Sequence, residues 1–238
     1  MRLMLTKPDK FTEKKIMGKG GVVFDFNGTL FWDSEYQETS WDKYLETHNI
    51  SLTEAQKKEY IHGRNGKDSF EYLFKRKLND SEVQIFTEEK EIIYRAECLK
   101  HKMELAPGAK RLLEYLKAQN IPMAIATAAG KSNVDFFIEK FNLLDYFTED
   151  HIIYNDGTTK GKPHPDLFEK AIQRLGVNKA QSIIFEDSFS GIQAAINCKV
   201  ASVIIVNSTK GNYAEFELPI IEHFDEFDRN LLICNLSN

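Results

Sequence analysis

Long hydrophobic runs and cysteines are both scarce in this sequence. No apolar stretch approaches the roughly 20 residues that a membrane-spanning helix needs. Residues 1–16 start with a short apolar segment and then turn charged, unlike the core of a secretory signal. The three cysteines, Cys98, Cys198 and Cys234, are widely spaced and form no CxxC pair. A disulfide framework and a zinc site are therefore disfavoured, and we expect a cytoplasmic protein with reduced thiols.

An excess of basic charge is also lacking. The chain has 31 lysines and arginines against 36 aspartates and glutamates, for a formal net charge of -5. Nucleic acids and anionic membranes attract basic surfaces, so we expect neither as a partner. The 238 residues are 42% hydrophobic, which is enough to bury the core of one large domain with an insertion.

Short apolar runs that end at turn residues are typical of buried parallel strands. Such runs cover 21–26, 121–127, 182–187 and 201–206, with a weaker candidate at 151–154. Helical patterns follow at 107–117, 133–141, 165–175 and 190–197, and we expect a final helix over 222–238. Strands that alternate with helices predict an α/β fold, in which helices cover both faces of a parallel sheet.

Residues 34–103 interrupt this alternation. They contain no strand-like run, and their helical patterns cover 35–48, 53–61, 67–78 and 81–102. We therefore predict a helical domain at 34–103, inserted into a core formed by 17–33 and 104–238. Residues 1–16 are predicted to be a polar N-terminal extension.

Polar side chains stand where the strong apolar runs end. Asp25 lies at the end of the first run, Thr127 closes the second, and Glu186 and Asp187 close the third. Ligands of open α/β sheets bind at the carboxyl ends of the strands, so we expect these side chains to meet. Lys162 lies between the second and third runs, in a proline-rich loop.

The types of these residues indicate phosphoryl chemistry. Asp25 and Asp187 can share a Mg2+ ion, which prefers carboxylates, water and a phosphate oxygen as ligands. Lys162 can supply a positive charge to the phosphate, while Thr127 and the backbone amides of the turn at Ala128 can donate hydrogen bonds. An aspartate nucleophile then forms an aspartyl phosphate, which divides one difficult step into two.

The motifs at these positions resemble those of the haloacid dehalogenase (HAD) superfamily and, within it, the β-phosphoglucomutase-like phosphatases. They are Asp25-Phe26-Asn27-Gly28-Thr29-Leu30, Ile125-Ala126-Thr127, Lys162-Pro163-His164-Pro165-Asp166 and Glu186-Asp187-Ser188. The helical segment matches that subfamily's cap domain in position and size. The resemblance implies a Rossmann-like parallel sheet core with an inserted α-helical cap.

The resemblance also implies roles. Asp25 would be the nucleophile, and Mg2+ would be held by Asp25, the main-chain carbonyl of Asn27 and Asp187, with Glu186 nearby. Thr127 and Lys162 would bind phosphate.

Substrate contacts are expected in the cap. Arg64 and Lys67 lie in a loop between two cap helices and are candidates for binding substrate. The implied substrate is a small phosphorylated metabolite, with sugar phosphates favoured. A monomer is expected because the core and the cap must move against each other.

Asn27 departs from the family pattern, in which an aspartate at this position is the general acid and base. Asparagine cannot exchange a proton near neutral pH, and general acid–base catalysis typically contributes about 10²–10⁴-fold. Another group, such as Glu35 or Glu38, could supply the proton. Alternatively the leaving group could need no acid, as in acyl phosphates, or the protein could be a weak enzyme or a phosphate-ester-binding protein. An engineered trapping substitution is a further explanation.

Two other activities of the superfamily remain as alternatives. Phosphomutases carry a cap histidine that corresponds to Gln37 here. This chain therefore lacks two groups expected of a mutase, that histidine and the aspartate at position 27. Phosphonatases form a Schiff base on a cap lysine, for which Lys43, Lys57 and Lys67 are candidates.

Overall fold

A six-stranded parallel sheet forms the centre of the computed structural model, which describes residues 19–61 and 66–232. The strands are β1 (Val22–Phe24), β2 (Met123–Ala126), β3 (Ile152–Ile153), β4 (Ile183–Glu186), β5 (Ser202–Val206) and β6 (Ile220–Ile221). Their spatial order is β3-β2-β1-β4-β5-β6, and each neighbouring pair is parallel. The predicted α/β fold is confirmed, and β6 is a strand that the sequence pattern did not indicate.

Eight α-helices accompany the sheet in the described part of the chain. They are α1 (Ser34–Thr47), α2 (Glu54–Tyr60), α3 (Gly66–Phe74), α4 (Asp80–Cys98), α5 (Ala109–Ala118), α6 (Lys131–Phe141), α7 (Asp166–Leu175) and α8 (Phe189–Cys198). Local signals set several of their ends. Thr53 and Asn79 form capping boxes at the starts of α2 and α4, and Ser188 caps α8. Gly176 ends α7 in the left-handed conformation that glycine tolerates.

Helices cover both faces of the sheet, as the sequence predicted. Along β1, the side chains of Val22 and Phe24 pack with α5 and α6, whereas Val23 packs with α7 and α8. This alternation is the two-residue period of a strand that is buried on both faces. The four helices fix the sheet from both sides and leave the carboxyl ends of its strands for other groups.

Helices α1 to α4 lie between β1 and α5, and we call them the insert. They enclose an apolar cluster of their own, formed by Tyr44, Leu45, Ile61, Phe70, Leu73 and Leu78. The end of α4 returns to the core, where Tyr94 and Cys98 join the main apolar cluster. The predicted helical insertion is thus present, while the domain boundaries placed at 34 and 103 stay a prediction.

The final helix predicted over 222–238 is wrong for residues 222–229. A short 3₁₀ helix at Phe224–Glu226 takes its place, and Phe227 has an extended backbone. The Nδ1 atom of His223 accepts the Asp225 amide, and the Phe224 amide donates to the carbonyl of Pro107, so these bonds compete with a helical ladder. The packing of Phe224 and Phe227 on the core is nevertheless as expected. Residues 233–238 and the predicted extension at 1–16 lie outside the described residues.

No helix within 19–61 or 66–232 combines the length and the apolar character needed to cross a membrane.

Phe185 should contribute strongly to stability because it is fully buried on β4 and stacks on Phe24 with ring centroids 5.0 Å apart. We expect Phe185→Ala to lower the free energy of unfolding by about 3–5 kcal/mol, as measured by urea denaturation. Leu144 is 48% exposed, so Leu144→Ala is a control that should change stability by less than about 0.5 kcal/mol. Similar losses in the two variants would contradict this assignment of the core.

Candidate active site

The candidate site lies where the strand order of the sheet reverses. β1 is flanked by β2 and β4, and the chain leaves these three strands at Asp25, Thr127 and Asp187. This switch point at the carboxyl ends of strands is where open α/β sheets bind ligands. A cavity of about 380 Å³ opens there, lined by Asp25, Asn27, Gly66, Thr127, Ala128, Ala129, Asn155, Gly161, Lys162, Ser188 and Ser190. The structure therefore brings together residues that are far apart in sequence, such as Asp25 and Lys162, which are separated by 137 positions.

Lys162 connects two buried carboxylates at the base of this cavity. Its Nζ atom donates to Oδ1 of Asp25 at 2.5 Å and to Oε1 of Glu186. All three side chains are at most 8% exposed. The loop that carries Lys162 is tied to α8, because the Asn197 amide donates to the carbonyl of Pro163 at 3.0 Å. Lys162 is thus held against Asp25 rather than extended into solvent.

Burial and mutual repulsion raise the pKa values of two acidic side chains of the site, Asp25 and Asp187. Burial raises the pKa of Asp25 to about 7; Lys162 opposes this shift, and Glu186 adds to it. Burial, together with the charges of Glu186 and Asp25, raises the pKa of Asp187 well above its usual value. For Lys162, burial favours the neutral amine, but the two carboxylates outweigh it and raise its pKa. Three carboxylates against one ammonium leave negative charge that a cation would balance.

The donor set fits a hard divalent cation. Carboxylate oxygens of Asp25, Glu186 and Asp187 lie within 4.8 Å of one another. Oxygen donors of this kind suit such a cation. Glu186 also accepts hydrogen bonds from Lys162 and from the Ser188 amide, the latter at 2.6 Å. Its position therefore serves to hold Lys162 as well as to add charge to the cluster.

Two glycines allow the acidic side chains to approach the backbone. A Cβ atom at Gly28 would lie 2.1 Å from Oδ2 of Asp187, and Gly28 has a positive φ of 80°. A Cβ atom at Gly191 would lie 1.6 Å from Oε1 of Glu186. Both contacts are too close for any side chain, so glycine is required for the carboxylates to occupy their positions.

Asn27 contacts groups on both sides of its side chain. Its Nδ2 atom donates to Oδ2 of Asp33 at 2.8 Å and to the Tyr94 hydroxyl at 3.2 Å. Its Oδ1 atom accepts from the Thr127 hydroxyl at a long 3.4 Å. Asp33 and Tyr94 were not identified from the sequence. Asp33 precedes α1 and suggests an ordinary helix N-cap, yet its side chain accepts no hydrogen bond from the backbone amides of that helix and turns back to the site.

Lys90 is a further residue that the sequence did not single out. It lies on α4, is 3% exposed and donates to Oε1 of Gln37 at 2.5 Å. Its Nζ atom also lies 5.2 Å from the centre of the Trp41 ring. It lines a cleft of about 1140 Å³ between the insert and the core, next to the smaller cavity. A lysine within a helical pattern is expected to be exposed on the surface, so only the packing in the structure shows that Lys90 is buried at the cleft.

The predicted insert residues have different positions. Lys67 lines the cleft, with its Nζ atom 3.3 Å from Asp80, whereas Arg64 lies outside the described residues. Neither the cleft nor the smaller cavity is lined by the proposed proton donors Glu35 and Glu38 or by the candidate Schiff-base lysines Lys43 and Lys57. Lys57 is bound by Asp42 and Glu54, whose hydrogen bonds raise its pKa and keep it charged. It therefore does not suit the Schiff-base role.

Gly191→Ala should disturb the site through Glu186, because the added methyl group would overlap Oε1 of that carboxylate. We expect a loss of unfolding free energy of about 1–3 kcal/mol in urea titrations. Gly161→Ala makes the same change beside Lys162, where an added Cβ meets nothing within 4 Å, and should cost less than about 0.5 kcal/mol. Equal effects of the two variants would argue against the close approach of Glu186.

The raised pKa values predict how metal binding depends on pH. In the metal-free protein Asp25 titrates near pH 7, and Asp187 also holds its proton above its usual range. Protons and a cation compete for these oxygens, so the increase in melting temperature caused by 5 mM MgCl₂ should be larger at pH 8 than at pH 5. Asp25→Asn is the control and should reduce the increase in melting temperature at both pH values. Equal increases for the unaltered protein at pH 5 and pH 8 would contradict this prediction.

Comparisons with known proteins agree with the geometry. The family model for haloacid dehalogenase-like hydrolases matches residues 22–205. A phosphorylated carbohydrates phosphatase of Thermotoga maritima is 25% identical over 209 residues, which cover 82% of this chain and 89% of that protein. A β-phosphoglucomutase of Bacillus subtilis is 29% identical over 180 residues, which cover 73% and 77% of the two chains.

A solved structure resembles the whole fold. The crystal structure of a HAD hydrolase, family IA, variant 3 from Entamoeba histolytica superposes with a TM-score of 0.83 at 34% identity, covering 92% of this chain and 100% of that one. The family model, the phosphatase relative and this hydrolase structure support phosphoric monoester hydrolase activity for the chain. The chain therefore belongs to the haloacid dehalogenase-like hydrolase family.

Proposed function

We propose that the protein is a Mg2+-dependent phosphatase of small phosphorylated metabolites, sugar phosphates among them, that forms an aspartyl phosphate on Asp25. The observation that carries this proposal is the buried contact of Asp25 with Lys162 beside the acidic cluster of Glu186 and Asp187. A carboxylate, a fixed cation and a cluster suited to a metal are the parts that phosphoryl transfer to an aspartate requires.

Each residue of the cavity has a role in this proposal. Lys162 opposes the effect of burial on the pKa of Asp25, which favours the ionised nucleophile, and stands beside the position of the transferred phosphoryl group. Thr127 and the turn at Ala128 line the cavity and would donate hydrogen bonds to phosphate oxygens. When bound, Mg2+ would be held by Asp25, the carbonyl of Asn27 and Asp187, with Glu186 nearby, and would offset the repulsion between nucleophile and phosphate.

The lining of the cleft beside the cavity suits the binding of a small organic substrate. It is lined by apolar rings such as Trp41 and Phe70 and by charged groups such as Lys67 and Lys90, all from the insert. Ala128 and Ala129 line both the cleft and the cavity, so a molecule whose phosphate faces Asp25 would extend toward the insert. Lys67 and Lys90 are the described cations of this cleft that we assign to substrate binding, and Arg64 remains a candidate.

A phosphatase is favoured over a phosphomutase. Gln37, at the position of the mutase histidine, donates to Asp33 at 3.0 Å and accepts from Lys90, so both ends of its amide are engaged. A carboxamide so held cannot act as a general acid or base. The name of the Thermotoga maritima relative, a phosphatase of phosphorylated carbohydrates, supports sugar phosphates as the substrate class.

We place the protein in the cytoplasm, as a monomer. Cys98 and Cys198 are free and buried, and burial raises their pKa values to about 12 and about 11. Such thiols are unreactive and suit a reducing compartment.

Asp25→Asn should remove the nucleophile and lower phosphatase activity by at least about 10³-fold, measured with p-nitrophenyl phosphate and with hexose phosphates in 5 mM MgCl₂. Activity should also disappear when EDTA replaces MgCl₂. Asp135→Asn, a change on the exposed side of α6 that breaks only an ion pair with Lys131, is the matched control and should retain activity. If the Asp25→Asn variant were as active as the control, the proposed function would be wrong.

A further inference from the structure

The amide nitrogen of Asn27 has no hydrogen left for a ligand. Its two N–H groups are directed to Oδ2 of Asp33, at 2.8 Å, and to the Tyr94 hydroxyl, at 3.2 Å. An asparagine amide has two donor hydrogens, so these two contacts use its full donor capacity. The contacts come from two different places, the residue before α1 and the C-terminal part of α4, and both acceptors are buried.

The neighbours also determine which way the amide points. A carboxylate only accepts hydrogen bonds, so the atom of Asn27 that faces Asp33 must be the nitrogen and not the oxygen. The oxygen therefore lies on the other side, where it accepts from the Thr127 hydroxyl at 3.4 Å, and Asn27 and Thr127 line the same cavity as Asp25. Beside the nucleophile Asp25, the protein therefore presents the Oδ1 atom of Asn27, which can accept a hydrogen bond but has no proton to donate.

Asp33 is itself fixed, so this orientation is not easily reversed. Its side chain accepts from the Gly28 amide at 2.9 Å, from the Gln37 amide at 3.0 Å and from the Tyr94 hydroxyl at 2.6 Å. Asp33 is 2% exposed and Tyr94 is fully buried. Turning the Asn27 amide around would place its oxygen against a buried carboxylate and remove one of the hydrogen bonds that this carboxylate accepts, which is costly.

We propose that Asn27, held in this orientation by the positioning residues Asp33 and Tyr94, restricts rapid turnover to phosphates whose leaving group departs without a proton, such as acyl and aryl phosphates. This inference rests on the proposed function, because it concerns the leaving group in the transfer of phosphate to Asp25. Alkyl phosphates, which include most sugar phosphates, are then the slow substrates of the same site.

The chemical step accounts for this preference. An oxygen of Asp25 forms a bond to phosphorus while the bond between phosphorus and the leaving-group oxygen breaks, and the electron pair of that bond leaves with the oxygen. A carboxylate or a nitrophenolate is stable with this pair and needs no proton. An alkoxide is strongly basic and must be protonated as it departs, which the Asn27 oxygen cannot do. Water then cleaves the aspartyl phosphate in a second step that is common to all substrates.

The test compares two substrates of similar shape, p-nitrophenyl phosphate and benzyl phosphate, which differ mainly in the basicity of the leaving group. The value of kcat/KM reports the first step only, so the common hydrolysis of the aspartyl phosphate does not obscure the comparison. For the full chain in 5 mM MgCl₂ we expect kcat/KM to be at least about 10²-fold lower for benzyl phosphate. With acetyl phosphate the protein should be at least as active as with p-nitrophenyl phosphate.

An exchange of the two side chains provides the second arm. The double variant Asn27→Asp/Asp33→Asn keeps an amide–carboxylate contact between the two positions and places a group that can carry a proton beside the nucleophile. It should raise the ratio of kcat/KM for benzyl phosphate to kcat/KM for p-nitrophenyl phosphate by about 10²–10⁴-fold. Asp33→Asn alone is the matched control: it should keep the steep dependence, because residue 27 is still an amide.

The outcomes separate this inference from the proposed function. If the kcat/KM values of the unaltered protein for benzyl phosphate and p-nitrophenyl phosphate agree within about threefold, the inference is overturned and the proposed phosphatase function is retained. If the exchange variant melts normally but lowers the two rates equally, Asp33 has only a structural role and the inference is again overturned. If no form of the protein hydrolyses any of the three phosphates, the proposed function and the inference both fail. The comparison in the unaltered protein remains decisive should the exchange variant not fold.

Discussion

The buried contact of Lys162 with Asp25 and Glu186 is the interaction on which the rest of the site depends. Three carboxylates meet at the ends of β1 and β4, and without a cation between them their burial would be prohibitive. Lys162 reaches them from a loop that α8 holds in place. Gly28 and Gly191 supply the room that the acidic side chains need. Electrostatics thus explains why a lysine, two glycines and three acids from separate parts of the chain belong to one site.

A second set of polar contacts connects the insert to this charge cluster. It runs from Lys90 on α4 through Gln37 on α1 to Asp33, and from Asp33 to Asn27 in the loop after β1. Because each member donates to or accepts from the next, the orientation of every amide in the series is determined by its neighbours. Hydrogen bonds, and not apolar packing alone, therefore connect the insert to the residue beside the nucleophile.

The elements that could be predicted are those with strong local signals. The apolar runs at β1, β2, β4 and β5 were identified because buried parallel strands have a distinctive composition, and α5 to α8 followed from periodicity and from caps such as Gly176. The helix expected over 222–238 is absent over 222–229 because the His223 ring and the Pro107 carbonyl accept hydrogen bonds from backbone amides there, which a helical pattern does not reveal. β6, a pair of isoleucines between Pro219 and Glu222, was not recognised from the sequence, and it forms by pairing with the edge of β5.

The sequence by itself determined the α/β architecture, the helical insertion, the nucleophile candidate Asp25 and the missing acid at Asn27, since these follow from residue types and local spacing. The tertiary structure decided the surroundings of Asn27. Asp33 is six positions away and resembles a helix cap, and Tyr94 is 67 positions away on a different helix. Hydrogen bonds between such residues depend on how the insert folds back on the core, and no local pattern encodes that geometry. The direction in which the Asn27 amide points, and with it the chemistry available beside Asp25, is therefore a property of the folded chain.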